Sequence, residues 1–145
     1  MERGYPRGEP VILPDPPAGQ GFEHSPPGPV LELVQAVTFR LTAAAGGGAR
    51  IPVVSYLDGS GQAFAVTGAP FNLAGGQAGI FSFFVGGNQY GANAAAHIGG
   101  PLPAIWLDMR STLSVDAEGI AAGDQFSDLR LYVLTRPVAR QYEEG

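Results

Sequence analysis

Residues 30–43 read VLELVQAVTFRLTA, and in them Leu31, Leu33, Val37, Phe39 and Leu41 alternate with Glu32, Ala36, Thr38 and Arg40. A period of two puts one set on a buried face and the other on a solvated face, the pattern of a strand with one wet side. No other segment repeats convincingly at the helical period of about 3.6 residues, so the rest of the fold must be assembled from strands as well.

Downstream, AAAGGGA (43–49) is a flexible connection to IPVVSYLD (51–58), whose mostly apolar residues suit a strand covered on both sides and whose Pro52 belongs at a strand's start. Asp58-Gly59-Ser60-Gly61 is a hairpin turn into QAFAVT (62–67). AGIFSFFVGG (78–87) is a short aromatic strand, and NQYGANAAAHIGG (88–100) reads as a long loop of small residues. LPAIWLD (102–108) resumes a strand with the single tryptophan, Trp106. STLSVDAE (111–118) alternates Leu113, Val115 and Ala117 with Ser114, Asp116 and Glu118, and FSDLRLYVLT (126–135) alternates Leu129, Leu131 and Val133 with Arg130, Tyr132 and Leu134. About seven or eight antiparallel strands separated by turns predict an all-β chain, a β-sandwich or jelly roll.

Upstream, residues 1–29 hold 8 of the 13 prolines and one apolar patch, Val11-Ile12-Leu13. Proline fixes φ and donates no backbone hydrogen bond, so this segment is an extended arm and neither a helix nor a central strand. Laid on a neighbouring subunit, it would use Val11, Ile12 and Leu13 as anchors; the other reading is a disordered tail. The division predicted is an arm at 1–29, a β-sandwich domain at 30–136 and a C-terminal tail at 137–145.

The composition removes several function classes. Only 14% of the 145 residues are charged, the net charge is −5, and the 8 basic residues do not cluster, which leaves no electrostatic footprint for nucleic acid. With no cysteine there is no disulfide framework, thiolate metal site or thiol nucleophile. No apolar run is long enough for a membrane span, and the N-terminus lacks a signal peptide's apolar segment, so the expectation is a soluble protein made in the cytoplasm with no membrane partner.

Catalysis would need a base beside a nucleophile, and the only imidazoles are His24, in the arm, and His97, in the small-residue loop. Gly59-Ser60-Gly61 lacks the spacing of a nucleophile elbow, and neither Gly46-Gly47-Gly48 nor Gly75-Gly76 is followed by the Lys-Ser/Thr of a phosphate loop. Phe81, Phe83, Phe84, Tyr90 and Trp106 could stack on a sugar, but Phe81 and Phe83 share one strand face and Phe84 takes the other, which favours core packing for at least one set. Asp116, Glu118, Asp124 and Asp128 surround Gly-Ile-Ala-Ala-Gly and are chemically eligible calcium ligands. Their spacing matches no calcium loop, however, and Gly119, Gly123, Asp124 and Ser127 read instead as a structural turn that sets the register of the last two strands. The expectation is no enzyme, no cofactor and no metal.

The segment GPLPAIWLDMRSTLSVDAEGIAAGDQFSDLRLYVLTRP (100–137) resembles small β-sandwich structural proteins of tailed bacteriophages. The matching positions are Leu102-Pro103, Leu113-Ser114-Val115, Gly119-Ile120, Ala122-Gly123-Asp124-Gln125 and Ser127. Val37 to Thr42, Ala49-Arg50 and Tyr56 to Gly61 extend the resemblance over roughly residues 30–136, while the family's Glu-Glu-Trp-like ending is replaced by Leu134-Thr135-Arg136-Pro137. The resemblance implies a virion component, with a capsid decoration (cement) protein as the first expectation: a homotrimer on the capsid surface, bound to the major capsid protein through its arm and the base of its domain. A neck, connector or tail-associated ring protein is the alternative. A carbohydrate- or receptor-binding module using Tyr90 and Trp106 is a third.

Overall fold

The computed structural model describes residues 8–69, 72–88, 90–92 and 97–138. Every regular element among them is a strand: β1 (Gly8–Ile12), β2 (Phe22–His24), β3 (Val30–Thr42), β4 (Ile51–Leu57), β5 (Ala63–Gly68), β6 (Ala78–Val85), β7 (Tyr90–Ala92), β8 (His97–Leu102), β9 (Trp106–Leu107), β10 (Thr112–Glu118) and β11 (Gln125–Pro137). The larger sheet runs β1-β11-β3-β6-β8-β7 with β9 attached to β3, and the smaller runs β2-β10-β4-β5. Packed against each other they form a β-sandwich, the class the alternation predicts.

Between the sheets lie Phe39, Leu41, Phe81, Phe83 and Phe126 from the larger and Val54, Tyr56, Leu113 and Val115 from the smaller, all buried. Phe39 stacks on Phe81 with ring centroids 5.4 Å apart and meets Phe126 at 5.5 Å. Most of these side chains come from the segments with clear alternation; Val54 and Tyr56 come from β4, whose apolar run predicts cover on both sides but whose other face is only half-buried. Burial of the whole set is the main force holding the layers together.

The strand count exceeds the seven or eight expected because β1, β2, β7 and β9 are only two to five residues long, too short to show a period. Two of them lie in the Pro-rich arm, where Pro10 is accommodated in β1 because that strand is the edge of its sheet. The segment read as a long loop contains β7 and β8, and β8 pairs parallel to β6. Ile98, Gly99 and Gly100 of β8 are all buried, so no alternation marks the strand. The strand expected at 102–108 is split, with β8 ending at Leu102 and β9 covering only Trp106 and Leu107.

The founding stretch itself contains an irregularity. Tyr132 pairs with Ala36 but Val133 with Val34, which leaves Gln35 as the extra residue of a bulge. The bulge shifts the phase of β3, so Val34 and Glu32 face inward and Leu33 does not. Glu32 is therefore buried, contrary to its expected solvated position, and its carboxylate accepts a hydrogen bond at 2.8 Å from Nε2 of His24, which reaches across from β2.

Candidate functional site

The four carboxylates singled out in the sequence do not converge. Asp116 and Glu118 are exposed on the outer side of β10, as their alternation predicts, and Asp128 is exposed at a break in the β11–β3 register. Asp128 also has a φ of 56°, a left-handed conformation that aspartate tolerates better than most residues, and its N–H donates to the Asp15 carboxylate. Asp124 alone is buried, with 0% of its surface exposed.

What occupies Asp124 is Arg50, 74 positions earlier and also fully buried. Arg50 Nε donates to Oδ2 at 2.9 Å and Nη2 to Oδ1 at 3.0 Å, a bidentate pair. The remaining guanidinium N–H groups donate to the carbonyls of Gly46, Gly48 and Ala44. Asp124 in turn accepts from the amides of Ala44 and Ala121, both at 2.8 Å. All five donors of the arginine are used, and each carboxylate oxygen accepts twice. The guanidinium of Arg50 and the two amides hold the Asp124 carboxyl down at about 2, against the opposing effect of burial. Asp124 pushes the Arg50 guanidinium higher still. No acceptor is left over for a cation, and among the described residues no three His, Asp or Glu side chains are grouped to hold one.

This pair organises the end of the sandwich where the chain crosses between sheets. The β3–β4 crossing wraps around Arg50, and the β10–β11 crossing supplies Asp124. Within the β5–β6 crossing, Leu73 bridges to Arg50 and Gly76 N–H donates to Ala43 and Ala44. In the β1–β2 crossing, Gly19 N–H donates to the Asp124 carbonyl at 2.8 Å, and the Gln125 side chain donates to Pro16. Gly119 is needed here because its φ is 77° and a Cβ would stand 2.3 Å from the Ala49 carbonyl oxygen. Ile120 packs against the core, and Gly123 lies close to Ala44. Ser127 is within β11, paired with Arg40, and its side chain makes no hydrogen bond at the corner among the described residues.

Of the expected arm anchors, Val11 and Leu13 pack on this chain's own core while Ile12 is 66% exposed. β1 pairs with β11 and β2 with β10, so from residue 8 the arm runs along the domain it belongs to. Residues 1–7, the tail from 139 and the Tyr90 side chain lie outside the described residues. Phe81 and Phe83 are core, whereas Phe84 is exposed and the Arg136 guanidinium lies 5.0 Å from the Trp106 ring centroid. His97 Nε2 is 3.4 Å from the Ser82 hydroxyl. The burial of Arg50 and Glu32 has no local signal along the chain, since each acquires its partner only on folding.

No family model matches the chain, and no curated protein matches it significantly. Among solved structures it matches a chain in the structure of infectious bursal disease virus, Gx strain, with 11% identity and a TM-score of 0.31. That match covers 97% of this chain and 43% of the viral one, so this chain spans less than half its length.

Proposed function

We propose that the protein is a non-enzymatic structural component of a tailed-phage virion, bound to the major capsid protein as a decoration protein. The observation that carries this reading is the Arg50–Asp124 pair. Both residues belong to the positions that resemble phage structural proteins, one in the front half and one in the C-terminal half, and they meet in one buried contact. Two positions of the resemblance, far apart in the chain, therefore act together to build the fold. Of the three apolar anchors, the exposed Ile12 is the one that remains to engage the shell, because Val11 and Leu13 are already packed.

Co-sedimentation with capsids assembled from the major capsid protein of the phage that encodes this chain tests the reading. The intact chain is expected to saturate the shell, and Ile12→Asp to bind more weakly without unfolding. Failure of the folded wild-type chain to bind would overturn the proposal. A neck or connector ring is favoured by one observation: exposed Arg40 and Arg130 lie on the larger sheet and exposed Glu23, Asp116 and Glu118 on the smaller, and a ring needs a contact between unlike surfaces. Copies per particle, measured by quantitative mass spectrometry, separate the two: a number matching the shell's subunits supports decoration, and a single ring's worth supports the neck.

A further inference from the structure

The outer face of the larger sheet combines aromatic side chains and arginines. Register puts Pro101, Phe84, Ala36, Tyr132 and Pro10 in one row across β8, β6, β3, β11 and β1. A second row joins Trp106, Leu33 and Leu134. Partners opposite one another in a ladder share a face, and Phe84, Tyr132 and Trp106 are all exposed. Arg40, Ile80 and Arg130 line a shallow hollow with Asp128 on this side, and Arg136 lies over Trp106. Three arginines against Asp128 and the Asp15 carboxylate held by its amide leave these side chains at +1.

The outer face of the smaller sheet has the opposite sign. Exposed Glu23, Asp116 and Glu118 lie on β2 and β10, giving −3 with no arginine among them. Beside them, on β4 and β5, are half-buried Ile51, Val53 and Leu57 and the 61% exposed Val66. Each face thus offers an apolar area next to charge, and the charges are complementary only between unlike faces.

We propose that the protein associates with itself through these two faces, the larger sheet of one copy docking on the smaller sheet of the next. A symmetric contact would set arginine against arginine or carboxylate against carboxylate, whereas the unlike contact sets the two charge groups against each other and buries both apolar areas. The chain as a whole is at −5, so most other approaches of two copies are repulsive. Aromatic and arginine side chains are those enriched at protein interfaces, and this face is built of them. The smaller sheet limits the contact: its strands of three, seven, seven and six residues, about 4.8 Å apart, give about 360 Å² of projected area per partner, below the usual size of a specific interface. Association is therefore weak, and each added copy extends the assembly by one further contact of the same kind. None of this depends on the virion reading.

Two charge-reversed full-length variants test it: Arg40→Glu with Arg130→Glu on one face, and Asp116→Arg with Glu118→Arg on the other. All four positions are exposed, and circular dichroism with thermal melts verifies that each variant folds. By sedimentation velocity between micromolar and millimolar concentration, the wild type is expected to associate, and to do so less at high salt. Each variant alone is expected to associate about tenfold more weakly or worse, and an equimolar mixture to recover wild-type association because reversed faces then meet their complements. A wild type that stays monomeric throughout, a second variant that associates as well as the wild type, or a mixture that does not recover would each overturn the proposal. So would binding confined to some other acidic protein. Because no capsid is present, failure here leaves the shell-binding test standing on its own result.

Discussion

At the scale of single residues, Asp124 shows how much depends on where a carboxylate points. On the surface it would be one more solvated acid in a low-charge chain; buried, it satisfies an arginine and two loop amides at once. A buried ion pair need not be more stabilising than an apolar pair, but removing one member strands the other. Asp124→Ala is accordingly expected to cost about 3–5 kcal/mol, measured by urea unfolding. The same contact makes stability depend on pH. The folded carboxyl titrates at about 2 and the ordinary value is 3.8, so the unfolded chain takes up the proton first as pH falls. The contribution is complete well above 3.8 and is lost as pH drops through that value towards about 2. Unfolding midpoints should fall steeply across that window in the wild type and less steeply in Asp124→Asn. Equal slopes would show that the pair does not control acid stability.

At the scale of elements, the segments with strong two-residue alternation, β3, β6, β10 and β11, were legible because one face of each is buried and the other is not. β8 was not legible, since a strand buried on both sides and rich in glycine carries no contrast. The phase of β3 was legible only up to its bulge: one extra residue, Gln35, inverts which side chains face the core, and the burial of Glu32 follows. The turn between β10 and β11 was legible as a turn, from Gly119 and Asp124, but its partner loop was not, because Arg50 is 74 positions away from Asp124. That turn can be probed through Gly119→Ala, which combines a positive φ with a Cβ 2.3 Å from the Ala49 carbonyl oxygen. Gly61 shares a positive φ of 86° but has nothing within 4 Å of an added Cβ. Gly61→Ala is therefore expected to cost about 1 kcal/mol of conformational strain, and Gly119→Ala about 2 kcal/mol or more, because the backbone there must also move. Similar losses for the two would mean that the corner is looser than its contacts indicate.

At the scale of the whole molecule, the sandwich is held at one end by something more than its apolar interior. Four crossings between the sheets converge on Arg50 and Asp124, and they come from near the N-terminus, the middle and near the C-terminus of the chain. Loops that merely covered the end of a sandwich would open independently, and their amides would exchange with solvent long before the strands unfold. Loops tied to one buried pair cannot do so, because freeing any of them breaks a hydrogen bond to a desolvated charge or to its immediate neighbours. The amides of Gly19, Ala44, Arg50, Leu73 and Ala121 donate to these loops or to the pair itself. Native-state hydrogen exchange should therefore find them protected to nearly the same free energy as the core amides of β3 and β11, although all five lie outside the named strands, Arg50 and Leu73 at an isolated bridge. In Asp124→Asn the protection of these five amides should fall together, and further than that of the strand amides. If they exchange at unrelated rates in the wild type, or if the substitution affects only Ala44 and Ala121, which bond the carboxylate directly, the corner is a set of separate loops and the pair is a local contact.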